Sequence, residues 1–242
     1  MNYQNIDSLK NKLDELRPLK KEAIINLQNN FIVESTYNTN AIEGNSLTLK
    51  ETKVVLEGIT IGGKTLREHF EIINHKDAIF FVEQLAKSDT PLTEFDIKGI
   101  HSLILKNIDN KNAGKYRDIN VRISGAEHTP PKHFELSLKM NQFIEWYKES
   151  RDSLHSIELA ARVHVDFVKI HPFIDGNGRT ARLLLNLELI KRGYPPIVIK
   201  AKNRLSYYEA LDLAHVKNDY SYFLKLINEY LIESFDRYFF YL

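Results

Sequence analysis

The chain has 242 residues, 43% of them hydrophobic, which is enough for one large domain or for a domain with an appendage. Its 33 Lys and Arg residues balance 32 Asp and Glu residues, and a net charge of +1 argues against a dedicated nucleic-acid binder. The absence of cysteine excludes disulfides, thiolate nucleophiles and thiolate metal sites.

The first 22 residues are polar and lack the apolar centre of a signal peptide. No stretch approaches the roughly 18 consecutive apolar residues that a membrane-spanning helix needs. The sequence therefore predicts a soluble, cytoplasmic protein without a membrane partner.

Apolar residues recur mostly at helical spacing, beginning with a stripe over residues 6–19 and continuing to residue 32. Gly44 and Asn45 read as the end of a helix, and Thr48 with Glu51 has the spacing of a capping box that starts the next one. After a loop at residues 58–63, further helices are predicted at residues 66–86, 95–104, 135–149, 157–170, 179–192, 206–214 and 220–242.

Residues 116–133 differ from their surroundings. Apolar and polar residues alternate over 121–125, and turn residues followed by Pro130 and Pro131 come next. This pattern is typical of a short β-hairpin. The predicted fold class is therefore all-α with one small hairpin.

The most informative stretch runs from His171 to Arg182. His171 precedes a proline, which disfavours the α region, so it should end one helix and project from a loop. The sequence Gly176-Asn177-Gly178 then opens the next helix. Glycines there let backbone N–H groups approach a ligand, and the helix N-terminus favours negative charge. These features predict an anion cradle.

Charged side chains surround this cradle. Arg179 and Arg182 lie three residues apart in the first turns, where a helix normally prefers acidic groups, so an anion such as polyphosphate would complete the site. Asp175 is an oxygen ligand suited to Mg²⁺. His171, with an ordinary pKa of about 6.5, suits a general base. Each piece alone is more often structural, but together they indicate phosphoryl or nucleotidyl transfer.

The run HPFIDGNGRTAR at residues 171–182 matches the HPFx(D/E)GNGRxxR signature of Fic-family proteins, and a weaker resemblance covers residues 91–214. The resemblance implies a helical Fic core over 91–214 with a β-hairpin flap at 114–133. It places an N-terminal helical region at 1–90 and a C-terminal helix at 215–242.

The same resemblance implies a protein adenylyltransferase (an AMPylator) that moves AMP from ATP to a Ser, Thr or Tyr hydroxyl of a protein docked at the flap. His171 would deprotonate the hydroxyl, Asp175 would hold Mg²⁺ or Mn²⁺, and Phe173 would be core. The residues that would bind nucleotide are Gly176, Asn177, Gly178, Arg179, Arg182 at the γ-phosphate, and Asn203 and Tyr207 around the adenine.

Thr39-Asn-Ala-Ile-Glu43-Gly44 resembles the (S/T)xxxE(G/N) motif of inhibitory helices in the same family. Thr39 and Glu43 share a helix face, and a carboxylate at a helix C-terminus gains from a cationic partner. The resemblance supplies Arg182 as that partner, which would block the γ-phosphate site. An exposed helix-end charge without function is the alternative.

Several alternatives stay open from the sequence. The same residues would suit transfer of another nucleotidyl or phosphodiester group, removal of AMP by hydrolysis, or a non-enzymatic nucleotide-binding regulator. The target, self-modification and a homo-oligomeric state are likewise left open.

Overall fold

The computed structural model describes residues 3–242, which fold into ten α-helices and two short 3₁₀ turns. No helix among these residues is long and apolar enough to cross a membrane. The helices are α1 Gln4–Glu15, α2 Lys21–Ile42, α3 Leu49–Leu56, α4 Leu66–Ala86, α5 Glu94–Leu105, α6 Leu136–Ser150, α7 Ser156–Ile170, α8 Asn177–Lys191, α9 Arg204–Lys217 and α10 Ser221–Tyr241.

Three helices begin at capping boxes that the sequence encodes locally. Thr48, Thr65 and Thr93 each accept a hydrogen bond from the backbone of the acidic residue three positions later, which returns a bond to the threonine backbone. Such caps satisfy N–H groups that the first turn leaves without partners. They fix where α3, α4 and α5 start.

Helix α8 lies at the centre of the fold. Twelve of its fifteen residues are buried, and α4, α5 and α7 pack around it. A helix that is buried on nearly every face belongs to the core of a protein. The loop between α7 and α8 is therefore held at both ends by core helices. One hydrophobic cluster also joins Leu13, Phe173 and Phe235, while the predicted divisions at residues 90 and 214 stay predictions.

The predicted β-hairpin at residues 116–133 is wrong, because residues 3–242 contain no strand. The backbone groups of this segment bond elsewhere: the Arg117 N–H donates to Pro172 O (3.0 Å), and the Arg117 side chain donates to Pro131 O (2.6 Å). Pro130 and Pro131 lack the N–H that a ladder needs. A lone two-stranded hairpin is marginal in water, and side-chain bonds close this loop instead.

Buried histidines should make the fold sensitive to acid. Burial lowers the pKa of His75 to about 3 and those of His101 and His215 to about 4, and it holds the pKa of His164 well below its ordinary value. In the unfolded chain these imidazoles bind protons below about pH 6.5, whereas the folded chain does not bind them. Their contribution to stability is full above about pH 6.5 and is lost as the pH falls towards 4.

We expect the free energy of unfolding to drop by up to about 2 kcal/mol per buried histidine between pH 7 and pH 5. Urea denaturation at several pH values measures this slope. A free energy that stays constant from pH 7 to pH 5 would contradict the prediction.

Candidate active site

The loop of residues 171–176 connects α7 to α8 and carries the candidate catalytic side chain. His171 ends α7 in the left-handed conformation, with φ 50° and ψ 57°. Non-glycine residues seldom adopt this conformation, and where they do so the surrounding structure must impose it. The turn directs the chain away from the α7 axis immediately before Pro172.

The side chains of Asn177 and His101 hold this loop in place. The Asn177 amide accepts from Phe173 N (3.0 Å) and donates to Phe173 O (2.8 Å). Phe173 is fully buried, as predicted, and stacks on His101 with ring centroids 3.6 Å apart. The His101 Nε2 donates to Asp175 O (2.9 Å), and its Nδ1 accepts from Gly114 N (2.9 Å). The loop is thus fixed to α5 and to the start of the 114–133 segment.

Because the Asn177 side chain satisfies two buried backbone groups, its loss should be costly. We expect Asn177→Ala to lower the free energy of unfolding by about 1–3 kcal/mol, the range for stranded buried polar groups. Urea denaturation measures the loss. Asn186→Ala is a matched control for stability alone. The Asn186 amide makes the same pair of hydrogen bonds, to the backbone N–H and carbonyl of Ile197, away from the loop. Asn177→Ala should also weaken nucleotide binding, whereas equal binding by both variants would contradict the loop's role.

His171 is largely shielded and electrostatically tuned. Burial, reinforced by the nearby Arg117 guanidinium, lowers the pKa of His171 to about 4. Arg117 Nε also donates to the His171 carbonyl (2.9 Å). The imidazole is therefore neutral at neutral pH, which is the state that can accept a proton. A hydrogen bond with the backbone of Val168 opposes part of this pKa shift.

Asp175 lies at the mouth of the cradle with its side chain 41% exposed. Burial alone would raise the pKa of Asp175, but the Arg179 guanidinium, with Gly176 N–H and Arg67, holds it below its ordinary value. The residues fit a cation of the Mg²⁺ class, which typically takes one or two carboxylates and completes its shell with phosphates and water. The described residues contain no group of three His, Cys, Asp or Glu side chains that would hold a metal alone.

The N-terminus of α8 suits an anion. Gly176, in the left-handed conformation with φ 77°, is the N-cap and makes no side-chain cap. The first N–H groups of α8 are therefore left for another acceptor, and the helix dipole favours negative charge there. A Cβ on Gly178 would collide with Glu43 Oε1, so the Glu43 carboxylate already lies against this end of the helix.

Arg182, whose side chain is 6% exposed, is held by the last turns of α2. Its Nε donates to Thr39 Oγ1 (2.5 Å), and its Nη2 donates to Glu43 Oε1 (2.5 Å). Burial alone would lower the pKa of Arg182, but the Glu43 carboxylate raises it above its ordinary value. Gly44, with φ 97°, lets the chain leave α2 directly after this carboxylate. The Arg182 guanidinium is thus charged, and Thr39 and Glu43 already accept its hydrogen bonds.

A cleft of about 430 Å³ joins these features. Its lining includes His171, Gly178, Arg182 and Glu43, together with residues 123–126. Residues of α9 complete the lining, among them Arg204, Tyr207, Tyr208, Leu211 and His215. The volume falls within the range of ordinary small-molecule sites.

The two residues assigned to adenine differ in placement. Tyr207 lines the cleft but is 2% exposed, and its hydroxyl makes a hydrogen bond with Nε2 of the fully buried His164 (3.1 Å). The Asn203 amide donates to Tyr230 Oη on α10 (2.9 Å), and the structure does not bring it to the cleft. Tyr208, 37% exposed, presents the more open ring.

Sequence reasoning missed four side chains that surround the loop, and only their position in the fold reveals them. Arg67 donates to Asp175, Arg117 to the His171 carbonyl, and His101 to the Asp175 carbonyl, while Glu71 lies 3.3 Å from Arg179 Nη1. None belongs to a recognisable motif, and Arg67 is 108 positions from its partner.

Residues 91–189 match the Fic/DOC family. Among curated relatives, the protein adenylyltransferase Fic of Drosophila grimshawi is 36% identical over 225 residues, covering 92% of this chain and 44% of the relative. That of Nematostella vectensis is 40% identical over 182 residues, covering 74% and 42%. The chain thus spans less than half the length of these two relatives.

Some solved structures match this chain over a larger share of both proteins. A Fic domain containing signaling protein from Bacteroides thetaiotaomicron is 33% identical with a TM-score of 0.89, covering 96% of this chain and 95% of that one. Fic-1 from C. elegans is 32% identical with a TM-score of 0.87, covering 98% and 70%.

Proposed function

This chain belongs to the Fic/DOC family, and we propose that it is a protein adenylyltransferase that transfers AMP from ATP to a Ser, Thr or Tyr hydroxyl of a target protein. The observation that carries the proposal is the cleft, which brings a neutral histidine, an uncapped helix N-terminus and a buried arginine together. The names of the curated relatives give the reaction.

His171 acts as the base. With a pKa of about 4 it is neutral at neutral pH and takes the proton of the target hydroxyl. The hydroxyl oxygen then forms a bond to the α-phosphorus of ATP, and the bond from that phosphorus to pyrophosphate breaks. The hydroxyl enters beside residues 123–126, which line the cleft and include the exposed Ser124 and Gly125.

The phosphates lie at the N-terminus of α8. N–H groups of Asn177 and Gly178 face them, Gly176 supplies the turn that leads into the helix, and Arg179 and Arg182 supply positive charge. Asp175 would hold Mg²⁺ or Mn²⁺, which would supply positive charge to neutralise the phosphates. The adenine ring of ATP packs in the part of the cleft lined by Tyr207 and Tyr208.

Glu43 restrains this reaction. It occupies the Arg182 guanidinium and lies against Gly178, so it competes with a terminal phosphate for both. A carboxylate and a phosphate are both anions, and the two would repel each other at this site. ATP therefore binds in a pose that is unproductive while the pair is closed.

The test uses the Glu43→Gly protein with Mg²⁺ and ATP labelled at the α or the γ phosphate. Label from the α position on protein, absent in a Glu43→Gly, His171→Ala double variant, supports AMP transfer; label on the chain itself reports self-modification. Label from the γ position would mean a kinase instead. Absence of α label from both the chain and a proteome of candidate targets would contradict the proposal.

Removal of AMP is a second candidate, because Glu43 lines the same cleft as His171. A carboxylate there would activate water for attack on a protein-bound AMP. Incubating an adenylylated target with the unchanged protein and with Glu43→Gln distinguishes the two directions. Release of AMP only by the unchanged protein would favour this second function.

A further inference from the structure

The two oxygens of the Asp175 carboxylate have different partners. Oδ1 accepts from Gly176 N (2.5 Å) and from Arg179 Nη2 (3.0 Å), which lie one and four positions later in the chain. Oδ2 accepts from Arg67 Nη2 (2.6 Å), which comes from α4. Oδ2 is therefore the oxygen that the cradle itself does not use, and a guanidinium occupies it.

The position of Arg67 allows its side chain to move away from Asp175. Its side chain is 56% exposed, and that of Asp175 is 41% exposed. It lies in the first turn of α4, where a positive charge opposes the helix dipole. Its Nε donates to Glu71 Oε1 one turn later (3.2 Å), and this bond aims the guanidinium at Asp175. Of its two contacts, the one with Asp175 is exposed, so breaking that pair costs little, whereas the Glu71 side chain is only 11% exposed.

We propose that Arg67 is a positioning residue that covers the metal-binding oxygen of Asp175 and must move away before a divalent cation binds. This inference rests on the proposed role of Asp175. A guanidinium and a divalent cation on one carboxylate oxygen place two positive charges at contact distance, where they repel, so binding of the metal favours departure of Arg67. Arg67 thus restrains the metal side of the site, whereas Glu43 restrains the phosphate side.

The orientation of the Arg67 guanidinium is linked to the segment around Glu43. Glu71, which holds Arg67, also accepts from Asn45 Nδ2 at Oε2 (2.8 Å), and Asn45 follows Glu43 by two positions. The same carboxylate lies 3.3 Å from Arg179 Nη1. Movement of the segment around Glu43 would therefore change what holds Arg67, and the two restraints would loosen together.

The test measures ADP affinity by calorimetry, once in EDTA and once in Mg²⁺, and takes the ratio of the two dissociation constants as the gain due to metal. We expect Arg67→Gln to enlarge this gain about two- to fivefold, the range for release of an exposed ion pair. Affinity in EDTA should stay the same. Arg237→Gln is the matched control, since Arg237 pairs with Glu233 one turn away (3.3 Å) but far from Asp175 in sequence.

Each other outcome has a definite meaning. A lower ADP affinity of Arg67→Gln in EDTA, with no larger gain in Mg²⁺, would overturn the proposal and make Arg67 a phosphate ligand. An unchanged gain would also overturn it. Asp175→Asn separates this failure from failure of the proposed function: if Asp175→Asn keeps the full gain, the metal does not bind at Asp175, and if it loses the gain, only the role of Arg67 is at fault.

Discussion

Replacing Glu43 by glycine should raise AMP transfer on the order of 100-fold, comparable to restoring one lost charge-stabilising donor at a transition state. The change frees the Arg182 guanidinium, which Glu43 holds at 2.5 Å, and clears the carboxylate from Gly178. The rate of α-label incorporation from ATP, compared between the unchanged protein and the variant, measures the effect.

Glu57→Gly is the matched control for this substitution. Glu57 ends α3 with φ −82° and ψ 0°, as Glu43 ends α2 with φ −83° and ψ 1°, and each precedes a glycine with positive φ. The control therefore makes the same backbone change without touching Arg182. Equal rates for the two variants, or no increase in Glu43→Gly while it remains folded, would contradict autoinhibition.

Replacing His171 by alanine should lower AMP transfer about 100- to 10,000-fold in the Glu43→Gly background, the usual contribution of a general base. ADP affinity should change little, because the imidazole acts on the target hydroxyl and not on the phosphates. Calorimetry of ADP binding provides that control and also reports folding. A His171→Ala protein that transfers AMP within tenfold of its parent would contradict the assignment.

The pH dependence of the rate follows from the same residue. Because the pKa of His171 is about 4, the base remains deprotonated from pH 8 down to about pH 5, and its protonation should not reduce the rate in that range. The rate should fall only as the pH approaches 4. Loss of activity near pH 6.5 with the fold intact would mean that His171 titrates as an ordinary imidazole.

Local chemistry made part of this structure predictable. The capping box of Thr48 and Glu51 and the helical spacing of apolar residues predict where several helices lie, because each signal depends on neighbours within one turn. The local structure between His171 and Arg182 is predictable for the same reason. It encodes a helix end, a glycine turn and a helix start in twelve consecutive residues.

The contacts across the site depend on the packing of distant helices. Arg67 meets Asp175 from 108 positions away, and Arg117 meets the His171 carbonyl from 54 positions away. No local pattern distinguishes these arginines from exposed ones. The hairpin prediction was wrong for a related reason: the alternation over 121–125 suits a strand, but the Arg117 side chain bonds the backbone groups that a ladder would need.

Helix α2 is built into the core, and this constrains how the proposed inhibition could be relieved. Phe31, Ile32 and Ile42 all belong to the main hydrophobic cluster, so the helix cannot detach without exposing core side chains. Within the last turn, Asn40 donates to Thr36 O (2.9 Å) and to Glu71 O (3.3 Å). Ile42 is fully buried, so opening of even this turn exposes a core side chain and costs free energy. In hydrogen exchange, opening of the amides after Asn40 should carry this cost, and an activator would have to bind the opened end tightly enough to offset it.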